Sequence, residues 1–119
     1  MKSEHAIQSE IQLALSKHNC TVFRANVGKF KTQDGRWVST GLPKGHPDLY
    51  FFRWLDGRVG YIEVKNKKGR LRPDQMRFHE MLTNHHIIHC CARSVSDALK
   101  TVENGYIGYG YPDWNGEKI

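Results

Sequence analysis

The stretch that most constrains this chain is DLYFFRWLDGRVGYIEVK, residues 48–65. Two apolar and aromatic runs, DLYFFRW and RVGYIEVK, are joined across Asp56-Gly57. An Asp-Gly step between two strand-like runs predicts a β-hairpin. Strand alternation then projects Glu63 and Lys65 from one face, while Ile62 and Val64 enter the other. Asp48 lies eight residues before Asp56 and Glu63 seven after it (56 − 48 and 63 − 56). The hairpin therefore sets the two carboxylates at nearly opposing positions on paired strands, with a lysine beside them.

The rest of the chain supplies the elements such a hairpin needs for support. Residues 3–18 read as a helix with Ser3 as N-cap, Glu4 in the first turn, and a broad apolar face of Ala6, Ile7, Ile11, Leu13, Ala14 and Leu15. CTVFRA has strand composition. Residues 28–46 are glycine-rich and polar, with a short strand around RWVST, and long irregular stretches of this kind are usually functional or mobile. After the hairpin comes a basic loop, NKKGRLR, then a helix from Pro73, a good first helical residue, through Leu82. HIIHCCA reads as a strand and SVSDALKTV as a helix capped by Ser94 or Ser96; the tail, residues 105–119, adds a short strand and then frays. The order helix, strands, helix, strand, helix predicts an α/β fold with a mixed sheet in one domain, residues 1–119.

Three Pro-Asp pairs occur, and only one leads into a strand. Pro73-Asp74 opens a helix, where the aspartate favours the helix dipole, and Pro112-Asp113 reads as a turn. Pro47-Asp48 starts the first strand of the hairpin, whose second strand carries Glu63-Val64-Lys65. Two carboxylates from adjacent strands suit a hard divalent cation, Mg²⁺ or Mn²⁺, which prefers oxygen ligands. Such an ion polarises a phosphate and acidifies a bound water. Lys65 is then placed to orient that water or to stabilise the pentavalent phosphorane. Glu10 has Ile7, Leu13, Ala6 and Ala14 at i±3 and i±4, so it is expected to project from the apolar face as a further metal-site acid. Glu4 is explained by its first-turn position. Gln75 shares a helical face with Phe78, His79 and Leu82 and is expected to point inward at the site.

Charge names a partner. The net charge is +6, and basic residues concentrate at Lys29, Lys31 and Arg36 and again at Lys65, Lys67, Lys68, Arg70 and Arg72. A polyanion such as nucleic acid fits this distribution. Arg24, Lys29, Lys31, Lys44, His46, Lys67, Lys68, Arg70 and Arg72 are the candidate DNA contacts, and Trp37 is placed to touch DNA as well. No apolar run approaches the length of a membrane helix, and the N-terminus lacks a signal-peptide hydrophobic region. Three cysteines, Cys20, Cys90 and Cys91, are an odd number and fit a reducing, intracellular, cytoplasmic setting. No organic cofactor and no membrane partner are expected.

Two other classes compete. A DNA-binding module without chemistry would keep the basic residues, but the intact acids and Lys65 argue against it. A zinc site built on His85, His86, His89, Cys90 and Cys91 fails because strand alternation divides these residues between two faces and no second ligand cluster completes four ligands. Small buried cysteines and exposed histidines explain that stretch better.

Asp48, Glu63-x-Lys65, a helix-1 glutamate and Gln75 together resemble the PD-(D/E)XK nuclease superfamily. Within it, the chain most resembles the VRR-NUC (virus-type replication-repair nuclease) family. Gly45-His46-Pro47-Asp48 matches that family's Gly-x-Pro-Asp, Glu63-Val64-Lys65 its Glu-Val-Lys, and Gln75 its glutamine after the basic loop. The likeness spans roughly residues 4–100, as in short stand-alone forms typical of bacteriophages, whose host cytoplasm would then be the setting. It implies a restriction-endonuclease-like core, a mixed β-sheet flanked by α-helices. It also implies Mg²⁺- or Mn²⁺-dependent hydrolysis of DNA phosphodiesters. Asp48, Glu63 and the Val64 backbone carbonyl become metal ligands and Lys65 a catalytic residue. Stand-alone members are similar to Holliday junction resolvases, which act as homodimers on branched DNA; two symmetric cuts need two active sites. Flap or linear DNA is the alternative substrate.

Overall fold

The computed structural model describes all residues from Met1 to Ile119. Its elements are α1 (Glu4–Ser16), β1 (Cys20–Arg24), β2 (Lys29–Lys31), β3 (Trp37–Ser39), β4 (Leu49–Arg53), β5 (Arg58–Val64), α2 (Pro73–Asn84), β6 (Ile88–Ala92), α3 (Val95–Asn104) and β7 (Ile107–Tyr109). Five strands form one sheet in the order β1-β4-β5-β6-β7, and β2 pairs with β3 in a separate ribbon. The β1–β4 and β4–β5 pairs are antiparallel, while β5–β6 and β6–β7 are parallel. Each parallel pair is bridged by a helix, α2 or α3, as a crossover connection requires. The expected α/β architecture with a mixed sheet flanked by helices is borne out.

The hairpin closes through Arg53↔Arg58 around a four-residue turn, Trp54–Gly57, with Gly57 at φ 73°. Two arginines opposite each other repel, and Asp56 in the turn resolves this. Its carboxylate accepts from Arg53 Nε at 3.1 Å and lies 3.2 Å from Arg58 Nε. Both arginines hold the Asp56 carboxyl down to about 2. The register runs Leu49↔Ile62 at the far end, so the next residues outward, Asp48 and Glu63, face each other.

α1 and α3 cover one face of the sheet. Ile7, Ile11 and Leu15 of α1 and Ala98 and Val102 of α3 pack on Leu49, Phe51, Ile62, Val64, Ile88 and Cys90. α2 lies on the other face, against β6 and β7. Ser3 caps α1 by accepting from Ala6 N–H at 3.1 Å, and Ser94, rather than Ser96, caps α3 by accepting from Asp97 N–H at 3.2 Å.

Three expectations need correction. α1 buries only Ile7, Ile11 and Leu15; Leu13 stands 61% exposed, so the apolar face is narrower than its composition implies and is turned away from Glu10. The tail does not fray. Gly105, left-handed at φ 67°, ends α3, and the chain then doubles back: Ile107 N–H donates to Glu117 O at 3.0 Å and Ile119 N–H to Gly105 O at 2.9 Å. Tyr111 is buried and stacks on the His79 ring at 3.7 Å. Finally, His85 and His86 are exposed but His89 is buried, because β6 is covered on both faces.

Candidate active site

Asp48 sits at the mouth of the sheet, fixed from both sides. Its backbone carbonyl accepts from Ala25 N–H at 2.8 Å, just beyond β1, and its Oδ2 accepts from Val64 N–H on β5 at 2.7 Å. The turn that delivers it is equally constrained. Gly45 has φ 92°, and a side chain there would come within 2.4 Å of the Asp74 carbonyl at the start of α2. His46 Nδ1–H donates to Pro47 O at 2.7 Å, and its ring packs edge-on against Tyr61 and Phe78. The Gly-His-Pro sequence thus forms a close-packed corner between sheet and helix, and Asp48 emerges from it.

Glu63 is 2% exposed. Its Oε1 accepts from Gln75 Nε2 and lies 3.8 Å from Lys65 Nζ, while Oε2 is buried with no hydrogen-bond partner. Burial, and next the neighbouring charge of Asp48, push the Glu63 carboxyl up to about 9, with Lys65 opposing. An unpartnered carboxylate oxygen in a low-dielectric site costs free energy unless a cation satisfies it. Gln75, at the third position of α2, cannot turn freely: its Oε1 accepts from Arg72 N–H at 3.0 Å, which aims its amide nitrogen at Glu63. The helix start therefore orients the acid, as the inward-facing position of Gln75 anticipates.

Of the two helix-1 glutamates, Glu4 and not Glu10 lies in the cleft. Glu10 is half-buried beside a different cavity, where its carboxylate pairs with Lys2 at 2.7 Å. Its direction follows from the phase of α1 described above. Glu4 is one turn before Ile7 on the buried side and lines the same cleft as Asp48, Glu63, Lys65 and Gln75. A side chain at Gly69 would approach Glu4 Oε2 at 2.6 Å and Lys65 Cδ at 3.2 Å, so the basic loop closes tightly over both. Arg93, which sequence reasoning passed over, holds that loop by donating from Nη1 to Asn66 O at 2.5 Å and to Gly69 O at 2.8 Å.

The cleft has a volume of about 1180 Å³. Of the candidate DNA contacts, Arg24, Lys29, His46 and Arg72 line it. Lys31 lies on the β2–β3 ribbon, 6.0 Å from the exposed Trp37 ring. Lys44, Lys68 and Arg70 are exposed outside the cleft, and Lys67 borders the cavity that holds Glu10. No three His, Cys, Asp or Glu side chains converge on a common point. The donor set for a cation is accordingly two carboxylates, with Glu4 near them. That set fits Mg²⁺, which typically takes one or two carboxylates and keeps several waters.

The histidines form a separate network. His89 Nδ1–H donates to Ile87 O at 2.8 Å, leaving Nε2 to accept from His79 Nδ1–H at 2.7 Å. His79 Nε2 reaches Asp113 Oδ1 at 2.8 Å. These bonds tie α2 and β6 to the tail and leave the rings committed to one another.

The family described as the VRR-NUC domain matches residues 2–96. Among solved structures, a VRR_NUC domain superposes with a TM-score of 0.62 at 20% identity, covering 88% of this chain and 100% of that one. At that identity the likeness speaks for the fold. No curated protein matches the chain.

Proposed function

The chain belongs to the VRR-NUC domain family, a family of nuclease domains, and from that premise we propose a Mg²⁺- or Mn²⁺-dependent endonuclease that hydrolyses DNA phosphodiesters as a stand-alone domain. The observation that carries the reading is the buried, unpartnered Glu63 Oε2 facing Asp48 across the strand pair. Asp48, Glu63 and the Val64 carbonyl would hold the ion. When bound, such an ion polarises the scissile phosphate and lowers the pKa of a water nucleophile. Lys65, 6% exposed with its ammonium 3.8 Å from Glu63, is positioned to orient that water and to neutralise charge developing on phosphorus. Gln75 keeps Glu63 from rotating away. Arg24, Lys29 and Arg72 contribute the positive cleft wall that receives the phosphate backbone.

We further propose action as a homodimer on branched DNA, since two symmetric cuts need two copies of a single site. A cleavage panel with Mg²⁺ or Mn²⁺ on four-way junction, flap, single-stranded and duplex DNA tests the reading, with Asp48→Asn as control. The expected result is metal-dependent cutting of branched substrates that Asp48→Asn abolishes while DNA binding is largely kept. Wild-type cleavage by Asp48→Asn would refute the assigned site. Light scattering showing a monomer at micromolar concentration, equally active on linear DNA, would refute the dimeric, branch-directed part.

A further inference from the structure

The two faces of the sheet are covered unequally. Behind β1, β4 and β5 lies the α1 core, but in front of β1 and β4 no helix packs, because α2 lies against β6 and β7 and reaches β5 at Gln75 and Phe78. The register puts Phe23 opposite Tyr50 and Phe52 opposite Thr21 on this open face, and Tyr50 opposite Tyr61, which closes its inner edge against His46 and Phe78. Phe23 and Tyr50 stack at 5.0 Å with an angle of 20°, and Phe52 and Trp54 lie 5.6 Å apart at 32°. Trp54 is anchored to β1 by its Nε1–H bond to Thr21 Oγ1 at 2.8 Å. Phe23 is 39% exposed and Trp54 54%. The result is an uncharged aromatic surface on a chain of net charge +6.

We infer that this surface is a stacking platform for unpaired nucleotides, which leads a single-stranded segment of DNA into the acidic cleft. Three observations choose this occupant. Tyr50 and Tyr61 belong both to the platform and to the lining of the cleft that holds Asp48 and Glu63, so the two surfaces are continuous. Arg24 and Lys29 line the same cleft and supply phosphate contacts along it. Aromatic side chains flanked by basic ones are how single strands are held without regard to sequence, because every base has a face to stack. Duplex DNA cannot use such a platform, since its bases already stack on one another and present only their edges. A second copy of the chain is the other conceivable cover.

The inference deepens the nuclease reading, in that it names the preferred substrate as DNA with an unpaired arm next to the scissile bond. Its test is a binding measurement and does not depend on cleavage. Fluorescence anisotropy of the full chain, with Ca²⁺ replacing Mg²⁺, compares a labelled single strand, its duplex, and the same strand carrying consecutive abasic positions. The single strand is expected to bind at least ten-fold tighter than the abasic strand. Phe23→Ala and Trp54→Ala should each weaken single-strand binding by roughly ten-fold, within the range for base-on-aromatic stacking, and leave duplex binding within about two-fold. The abasic strand probes the unmodified protein, so a variant that folds poorly does not decide the outcome. Equal affinity for the abasic and normal strands would overturn the platform. So would variants that convert a dimer to a monomer in light scattering while single-strand affinity is unchanged, which would make the face a self-association surface.

Discussion

Glu63→Gln separates the cost of the buried acid from its use. The folded protein holds the Glu63 carboxyl at about 9, against an ordinary value of 4.5. Between these limits the folded state keeps a proton that the unfolded chain has released. Stability fully present below about pH 4.5 therefore drains away as pH rises toward 9. The slope is ~1.4 kcal/mol per pH unit, so between pH 6.5 and pH 8 the loss is about 2 kcal/mol. This window avoids the opposing contribution of His89, whose folded value burial depresses from 6.5 to about 4. That histidine adds stability as pH rises from 4, and the gain is complete above 6.5. The window also stops short of the buried thiols of Cys90 and Cys91, which burial pushes well above the usual 9.0, that of Cys91 to about 11. The assay is urea unfolding at pH 6.5 and pH 8, in EDTA and in excess Mg²⁺. Wild type in EDTA should lose about 2 kcal/mol over that interval, and Glu63→Gln should lose almost nothing. Mg²⁺ should flatten the wild-type slope, because a ligand that binds only the folded, ionised site adds stability by mass action. In the variant, Gln75 can still donate to the new amide oxygen, and any penalty from an unsatisfied amide nitrogen is independent of pH. The slope is therefore the readout. Wild-type and variant slopes that coincide in EDTA would refute the reasoning, as would Mg²⁺ flattening both.

Glu4→Gln should lower the cleavage rate at least ten-fold while Glu10→Gln leaves it within about two-fold, each about the size expected for touching or missing a reacting centre; single-turnover rates on one junction substrate check both. Asp113→Asn removes the carboxylate that His79 reaches at 2.8 Å and should cost about 1–3 kcal/mol. Hydrogen exchange should rise first in residues 105–119; protection there equal to wild type would show that the tail is held by Tyr111 stacking alone.

What was legible in the sequence is what a period of two fixes. Once the Asp-Gly step marked a hairpin, counting from Asp56 brought Asp48 and Glu63 together, and they fall opposite each other because the four-residue turn is centred between Leu55 and Asp56. A helix offers no such fixed origin. Ala6, Leu13 and Ala14 widened the apparent apolar face of α1 until Glu10 fell inside it, yet only Ile7, Ile11 and Leu15 are drawn into the core. Those three mark a line along the helix that runs back through Glu4, a signal in the sequence that the surplus apolar residues hid. The tail failed for a different reason. It was expected to fray after a short strand, but Gly110 is where the chain passes so close to the Cys91 carbonyl that a side chain would meet it at 2.1 Å. Close approach and flexibility call for the same residue, and only the packing partner tells them apart.

The arrangement also explains why the acid has to be so poorly accommodated. Glu63 could have been relieved by a second donor at Oε2, as Asp48 is by the Val64 amide and Asp56 by its two arginines. Each such partner would lower the cost of folding and equally lower the affinity of that oxygen for a cation, since both compete for one lone pair. Lys65 is near enough to oppose the upward push on the Glu63 carboxyl, but at 3.8 Å it does not seal the site. Gln75 occupies Oε1 alone, which fixes the carboxylate plane and leaves Oε2 free to bind. A site kept incomplete at one atom, and rigid at the atoms around it, is what a protein needs if the missing partner is a cation.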